Sequence, residues 1–207
     1  MPTTFEILEG LASIVRDFGI AAIIWHIIFA FVVVLIIAGW RPSRKFAATA
    51  LAVPLLSVSV FAWIKSNFFN GLLFFLFAAL LAIIGLRLPD EKVKGSPAWS
   101  TIVGILLVTF GWIYPHFLAP GSWLEYLYAA PTGLIPCPTL SIIIGFALLA
   151  NGFSSRSWSI TLVIIGVFYG LFGAIRLNVH IDFVLLAGAL ILLVQTLSTM
   201  PPASSRE

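Results

Sequence analysis

From Ile20 to Trp40 the chain carries no Asp, Glu, Lys or Arg. At about 1.5 Å per residue a helix of that length covers roughly 30 Å, the thickness of a bilayer's hydrocarbon core. Backbone amides cannot stay unpaired in lipid, so such a run must be a helix or part of a closed barrel. Barrel strands alternate apolar and polar residues, and this run does not, which leaves the helix. Similar runs recur at about 46–64 (with Pro54 inside), 70–86, 99–114, 138–150, 158–175 and 181–197. The fold class is therefore all-α: a polytopic transmembrane helix bundle of about seven spans, with residues 20–199 as one domain. Composition agrees, since 61% hydrophobic residues, 9% charged and a mean hydropathy of +1.12 exclude a soluble domain. A net charge of +3 is too small to favour nucleic acid. The expected partners are the lipid bilayer and other membrane subunits.

Residues 1–19 read as a short amphipathic helix. Thr3 and Glu6 have the spacing of a capping box, and Leu8, Leu11, Val15 and Phe18 recur on one side. Such a helix lies in the membrane interface or docks on the bundle, and Gly19 ends it. With Glu6 and Glu9 and no basic stretch ahead of them, no cleaved signal peptide is expected. Residues 200–207 read as a disordered cytoplasmic tail. Orientation follows from the basic residues. If the loop after the first span is cytoplasmic, Arg41, Arg44, Lys45, Arg87, Lys92, Lys94, Arg156 and Arg206 lie inside, against Arg16, Lys65 and Arg176 outside. That places the N-terminus extracytoplasmic and the C-terminus cytoplasmic. The tryptophans fall mostly near span ends, as an aromatic belt does.

One stretch asks for more than a spanning role. Pro131-Thr-Gly-Leu-Ile-Pro-Cys-Pro-Thr139 holds the only cysteine, which excludes an internal disulfide. Its prolines cannot lie inside a regular helix. The apolar run behind it covers only about 20 Å, so the motif is expected to dip into the membrane under the cover of other helices. Pro138 suits the first helical position, which makes Cys137 the helix cap, where the dipole favours thiolate. Cys137 is then a reactive or metal-binding residue, or else a small buried residue in a rigid loop. Pro131, Thr132, Gly133, Pro136, Pro138 and Thr139 are the motif's structural residues.

In the deduced topology His26, His116 and His180 share the side of Cys137, as does Glu125. Thiolate and imidazole suit copper or zinc, so Cys137, His26, His116 and His180 are candidate ligands of a transition metal, although none are paired at ligand spacing within one helix. No other cofactor is indicated. His26, inside a span, is a functional candidate by default, with hydrogen bonding to a neighbouring helix as the structural reading. Arg176 and Asp182 flank a turn and are expected to pair. Gly166, Gly170 and Gly173 permit close approach of another helix. An odd span number without an inverted repeat lacks the usual sign of a secondary transporter. Catalytic triads, phosphate loops and zinc-protease helices are absent from the sequence, which favours a non-enzyme.

The proline-cysteine stretch resembles the Pro-Thr-x-Gly-x-Pro-Cys-Pro-Thr motif of an uncharacterised family of small bacterial polytopic membrane proteins. Here the glycine follows Thr132 directly, a departure from that spacing. The resemblance implies a multi-pass bacterial inner-membrane protein and carries no activity with it. Three functional classes remain: a non-enzymatic accessory or small-solute or metal-handling protein with an extracytoplasmic site, a thiol-redox or metal-dependent enzyme using Cys137, and a small transporter with a pathway near His26.

Overall fold

Apolar runs separated by short polar clusters become helices joined by short turns, as the hydropathy pattern requires. The structure, a computed structural model, describes residues 3–118 and 122–198. The tail expected at 200–207 lies outside the described residues. Helix α1 (Thr4–Asp17) begins as its sequence predicts: Thr3 N–H donates to Glu6 Oε2 at 2.7 Å, and the Glu6 amide donates back to the Thr3 hydroxyl. Its stripe of Leu11, Ile14 and Val15 is buried against Leu134 and Ile135, the residues just ahead of Pro136. α1 therefore docks on the bundle and covers the proline-cysteine motif.

Next come α2 (Gly19–Ile37), α3 (Arg44–Ala50), α4 (Ala52–Ile64), α5 (Phe68–Leu86) and α6 (Ala98–Ile113). The break between α3 and α4 has a cause in Pro54. Its nitrogen cannot donate to Ala50, four residues back, and its ring crowds that carbonyl, so α3 stops there. After the one-turn helix α7 (Tyr126–Ala129) come α8 (Pro136–Leu149), α9 (Arg156–Leu171) and α10 (Phe183–Ser198). α9 widens into a π turn over Phe172–Arg176, and a 3₁₀ turn over His180–Asp182 leads into α10. Every apolar run thus becomes a helix. Five of them, with α3–α4 and the turns at the ends of α9 and α10 included, are long and apolar enough to cross a membrane, while α6 and α8 are shorter. The chain is an all-α, multi-pass membrane helix bundle.

The short helix α8 is the bundle's centre. Residues 129–148 are buried without exception. A helix enclosed by protein has no lipid to match, so its length need not equal the hydrocarbon thickness. α6 comes close to it through glycine: a Cβ at Gly111 would stand 2.6 Å from the Pro138 carbonyl, and one at Gly104 would stand 2.9 Å from that of Gly145. On the opposite flank Gly170 lets α9 approach the Leu186 backbone of α10, the close approach its glycines predict.

Candidate functional site

The proline-cysteine motif does not lie where helical caps were expected. Ile135 is the cap, and Pro136, Cys137 and Pro138 are the first three helical residues. The sequence reading started the helix at Pro138 with Cys137 as its cap. The first turn of any helix has no intrahelical acceptor for its N–H groups, so prolines at its first and third positions forfeit no bond. Both fit, and the helix begins two residues earlier. Ahead of it, Gly133 takes a positive φ of 78°. Its amide donates to Thr139 Oγ1 at 2.8 Å, and that hydroxyl donates to the Ile135 carbonyl at 2.7 Å. Thr139 thereby ties the loop onto the first turn of α8.

The motif also closes the end of α6. Pro115 has no N–H for the Gly111 carbonyl, which would otherwise be orphaned. Thr132 Oγ1 donates to it at 2.8 Å. The Trp112 carbonyl, also past the last helical amide, is met by His26 Nε2 at 2.9 Å, while His26 Nδ1 stands 2.8 Å from the Ala22 carbonyl. A neutral imidazole can donate to only one of these oxygens. A third tie runs from Trp25 Nε1 to Ser57 Oγ (2.9 Å), and from that hydroxyl to the Gly133 carbonyl (2.7 Å). One short segment thus links α2, α4, α6 and α8.

Cys137 faces a carboxylate. Its Sγ donates to Asp182 Oδ2 at 3.1 Å, and the Tyr114 hydroxyl donates to Asp182 Oδ1 at 2.6 Å. All three side chains are buried, Asp182 being 1% exposed. Asp182 was expected to pair with Arg176; it does not. The 3₁₀ turn aims it inward at α8, and Gly173 in the π turn leaves the space its carboxylate occupies. Arg176 instead points away, donating to the hydroxyl of Thr4 at the start of α1. A thiol, a phenol and a carboxyl in one dry contact form a hydrogen-bonded polar core. Sequence spacing could not show it, because Tyr114 and Asp182 are 68 residues apart. The available signal was Asp182 itself, an acid at the edge of an apolar run.

The four candidate metal ligands are not brought together. Among the described residues no three His, Cys, Asp or Glu side chains are grouped as a metal ion requires. His26 has both nitrogens against backbone carbonyls. His116 is half-buried beside Phe117, its ring centroid 4.3 Å away, and burial holds its imidazole below the ordinary histidine range by disfavouring the charged form. His180 is exposed on the turn before α10. Cys137 keeps Asp182 as its partner. Each of these groups is taken up separately: His26 by backbone carbonyls, His116 on the loop after α6, His180 on the turn before α10 and Cys137 by Asp182. Glu125 closes a capping box with Ser122 instead.

At the opposite end a cavity of about 430 Å³ opens between α2, the α3–α4 break and the end of α8, with walls that are almost wholly apolar. No family model matches this chain, and no curated protein or solved structure resembles it closely enough to stand as a relative.

Proposed function

We propose that the chain is a non-enzymatic, multi-pass protein of a bacterial inner membrane, of the uncharacterised type its proline-cysteine motif resembles, and that this motif is the fixture holding its short central helix. The observation that carries this reading is the saturation of the motif by internal partners. Thr132, Gly133, Thr139 and Cys137 each hold a hydrogen bond inside the bundle, and Ser141 donates to the Cys137 carbonyl at 2.9 Å. A catalytic thiol needs room for a substrate, and residues 129–148 are buried throughout. The transporter reading called for a wet cavity around His26; that side chain is 4% exposed and held by two helices.

In this proposal the N-terminus is extracytoplasmic and α1 lies along that surface. Arg41, Arg44, Lys45, Arg87, Lys92, Lys94 and Arg156 flank one set of helix ends, against Arg16, Lys65 and Arg176 at the other. Bonds within each set support the division. The Arg44 guanidinium reaches the Phe153 carbonyl at 2.8 Å, and at the other end Lys65 pairs with Asp17 and Arg176 reaches Thr4.

Thiol labelling tests the fixture reading. In intact membranes Cys137 should resist a membrane-permeant maleimide at neutral pH and react only after denaturation. Labelling of the folded protein within minutes would return Cys137 to the nucleophiles. For orientation, single cysteines at Lys92 and at Trp123 in a Cys137→Ala background should label from opposite sides of the membrane. Labelling of Lys92→Cys from the extracytoplasmic side would overturn the proposed topology.

A further inference from the structure

Past Phe29, α2 buries no residue, although it continues to Ile37. Val32, Val33 and Ile36 are only partly covered there, by Phe146 and its neighbours, and the space beside them is the apolar groove. Ile28, Val32 and Ile36 form one wall, four residues apart and so on one face of the helix. The opposite wall is hollowed by Ala47 and Ala50 and by the break that Pro54 imposes, and Phe146 and Leu149 close the back. The groove runs beside α2 from Trp25 to Trp40, about 22 Å at 1.5 Å per residue.

Its far end has a different character. Trp40 and Phe46 meet edge to face at 5.8 Å, and Arg41 lines the wall beside them. Arg41 donates through Nη1 to the Ile36 and Trp40 carbonyls at 3.0 and 3.1 Å, and its other nitrogens make no hydrogen bond among the described residues. Val93 also lines the groove, held by its amide on the Pro42 carbonyl at 3.0 Å, which sets Lys92 and Lys94 at this rim. Both lysines are exposed and belong to no ion pair among the described residues. Of the nearby acids, Glu91 is engaged by Arg44 at 3.3 Å, which leaves Asp90 against three cations.

We propose that this groove binds one acyl chain of an anionic phospholipid, with the phosphate held by Arg41, Lys92 and Lys94. The groove is elongated and its walls are almost wholly apolar, which suits a hydrocarbon chain laid along α2. Water has almost no polar partner on these walls, so an aqueous solute gains nothing by entering. The length suits a chain reaching inward from one leaflet of a core roughly 30 Å thick. Aromatic rings and cations at one end mark the headgroup level.

The test uses the purified full chain in detergent, with added phosphatidylglycerol or phosphatidylcholine, read by native mass spectrometry for retained lipid and by size for oligomeric state. One phosphatidylglycerol per monomer should be retained in preference to phosphatidylcholine. Replacing Arg41, Lys92 and Lys94 by Gln should weaken phosphatidylglycerol about five-fold for each charge removed, and phosphatidylcholine, whose choline cation offsets its phosphate, much less. Ala50→Leu, at an exposed position, should block both lipids while thermal unfolding in lipid-free detergent stays as in the parent protein. Equal retention of the two lipids, or retention untouched by the Gln variant, overturns the headgroup assignment. Retention untouched by Ala50→Leu overturns the chain's place in the groove. A dimer that Ala50→Leu dissociates overturns the proposal in favour of a second copy.

Discussion

The contact between Gly173 and Asp182 can be read by a double substitution. A Cβ added at Gly173 would fall within the Asp182 carboxylate, whose oxygens are fixed by Tyr114 on one side and Cys137 on the other. Gly173→Ala must therefore expel the carboxyl group and orphan a buried phenol and a buried thiol. An unsatisfied buried group costs about 1–3 kcal/mol, and replacing Gly by Ala in a helical turn returns up to about 1 kcal/mol. With two groups orphaned, the net loss is about 1–5 kcal/mol, or roughly 2–20 °C in Tm for a chain of this size. Asp182→Ala alone orphans the same two groups and should cost a similar amount. In the double variant the new methyl group meets no carboxylate, so its own cost should vanish and the pair should melt close to Asp182→Ala. That is a coupling of about 1 kcal/mol or more, above the scatter of independent sites. The assay is thermal unfolding of the purified protein in one detergent, followed by tryptophan fluorescence. Costs that simply add would refute the contact, and with it the inward placement of Asp182.

Other outcomes follow from the same geometry. Gly133→Ala combines a positive φ with a Cβ that would enter the Trp25 ring, so it should cost more than about 3 kcal/mol and lower the yield of folded protein, read by size-exclusion chromatography. Gly111→Ala should push α6 from α8 and cost about 1–3 kcal/mol, whereas Gly10→Ala, inside α1 with open space around it, should gain up to about 1 kcal/mol and melt above the parent. Lys65 holds the Asp17 carboxyl below the ordinary aspartate range. A carboxyl lowered in the folded state stabilises above its unfolded value and loses that contribution as pH falls through the folded one. The Tm difference between the parent and Lys65→Met should therefore be present at neutral pH and close below about pH 4.

The spanning pattern was legible because lipid makes helix and apolarity nearly synonymous: all seven runs, the Thr3–Glu6 cap and the glycine face of α9 can be read from spacing alone. The polar core could not be read that way. Cys137 was singled out by its prolines, but its partner Asp182 was assigned to Arg176, six residues away, because sequence distance favours near neighbours. The turn at His180–Asp182 reverses that preference by rotating the carboxyl inward. Thr132 as a structural residue and His26 as a hydrogen bond to a neighbouring helix were both readable, but the carbonyls they meet were not. Pro115 strips the Gly111 carbonyl of its donor, and which residue answers an orphaned carbonyl at the end of α6 depends on packing. The groove was unreadable, since it arises from a helix break and two alanines rather than from any motif.

The enclosure of α8 bears on how the protein is made. Fourteen residues beginning Pro-Cys-Pro, with Thr139 and Ser141 close behind, are poor material for lateral exit into lipid. Two of the walls that enclose them, α9 and α10, are synthesised afterwards. During biogenesis α8 must therefore wait, sheltered by the insertion machinery or by α6, until the last hairpin arrives and seals it in. A nascent chain halted before Arg156 would present this helix half-covered, and quality-control proteolysis should remove it, whereas a chain halted after Ser198 should persist.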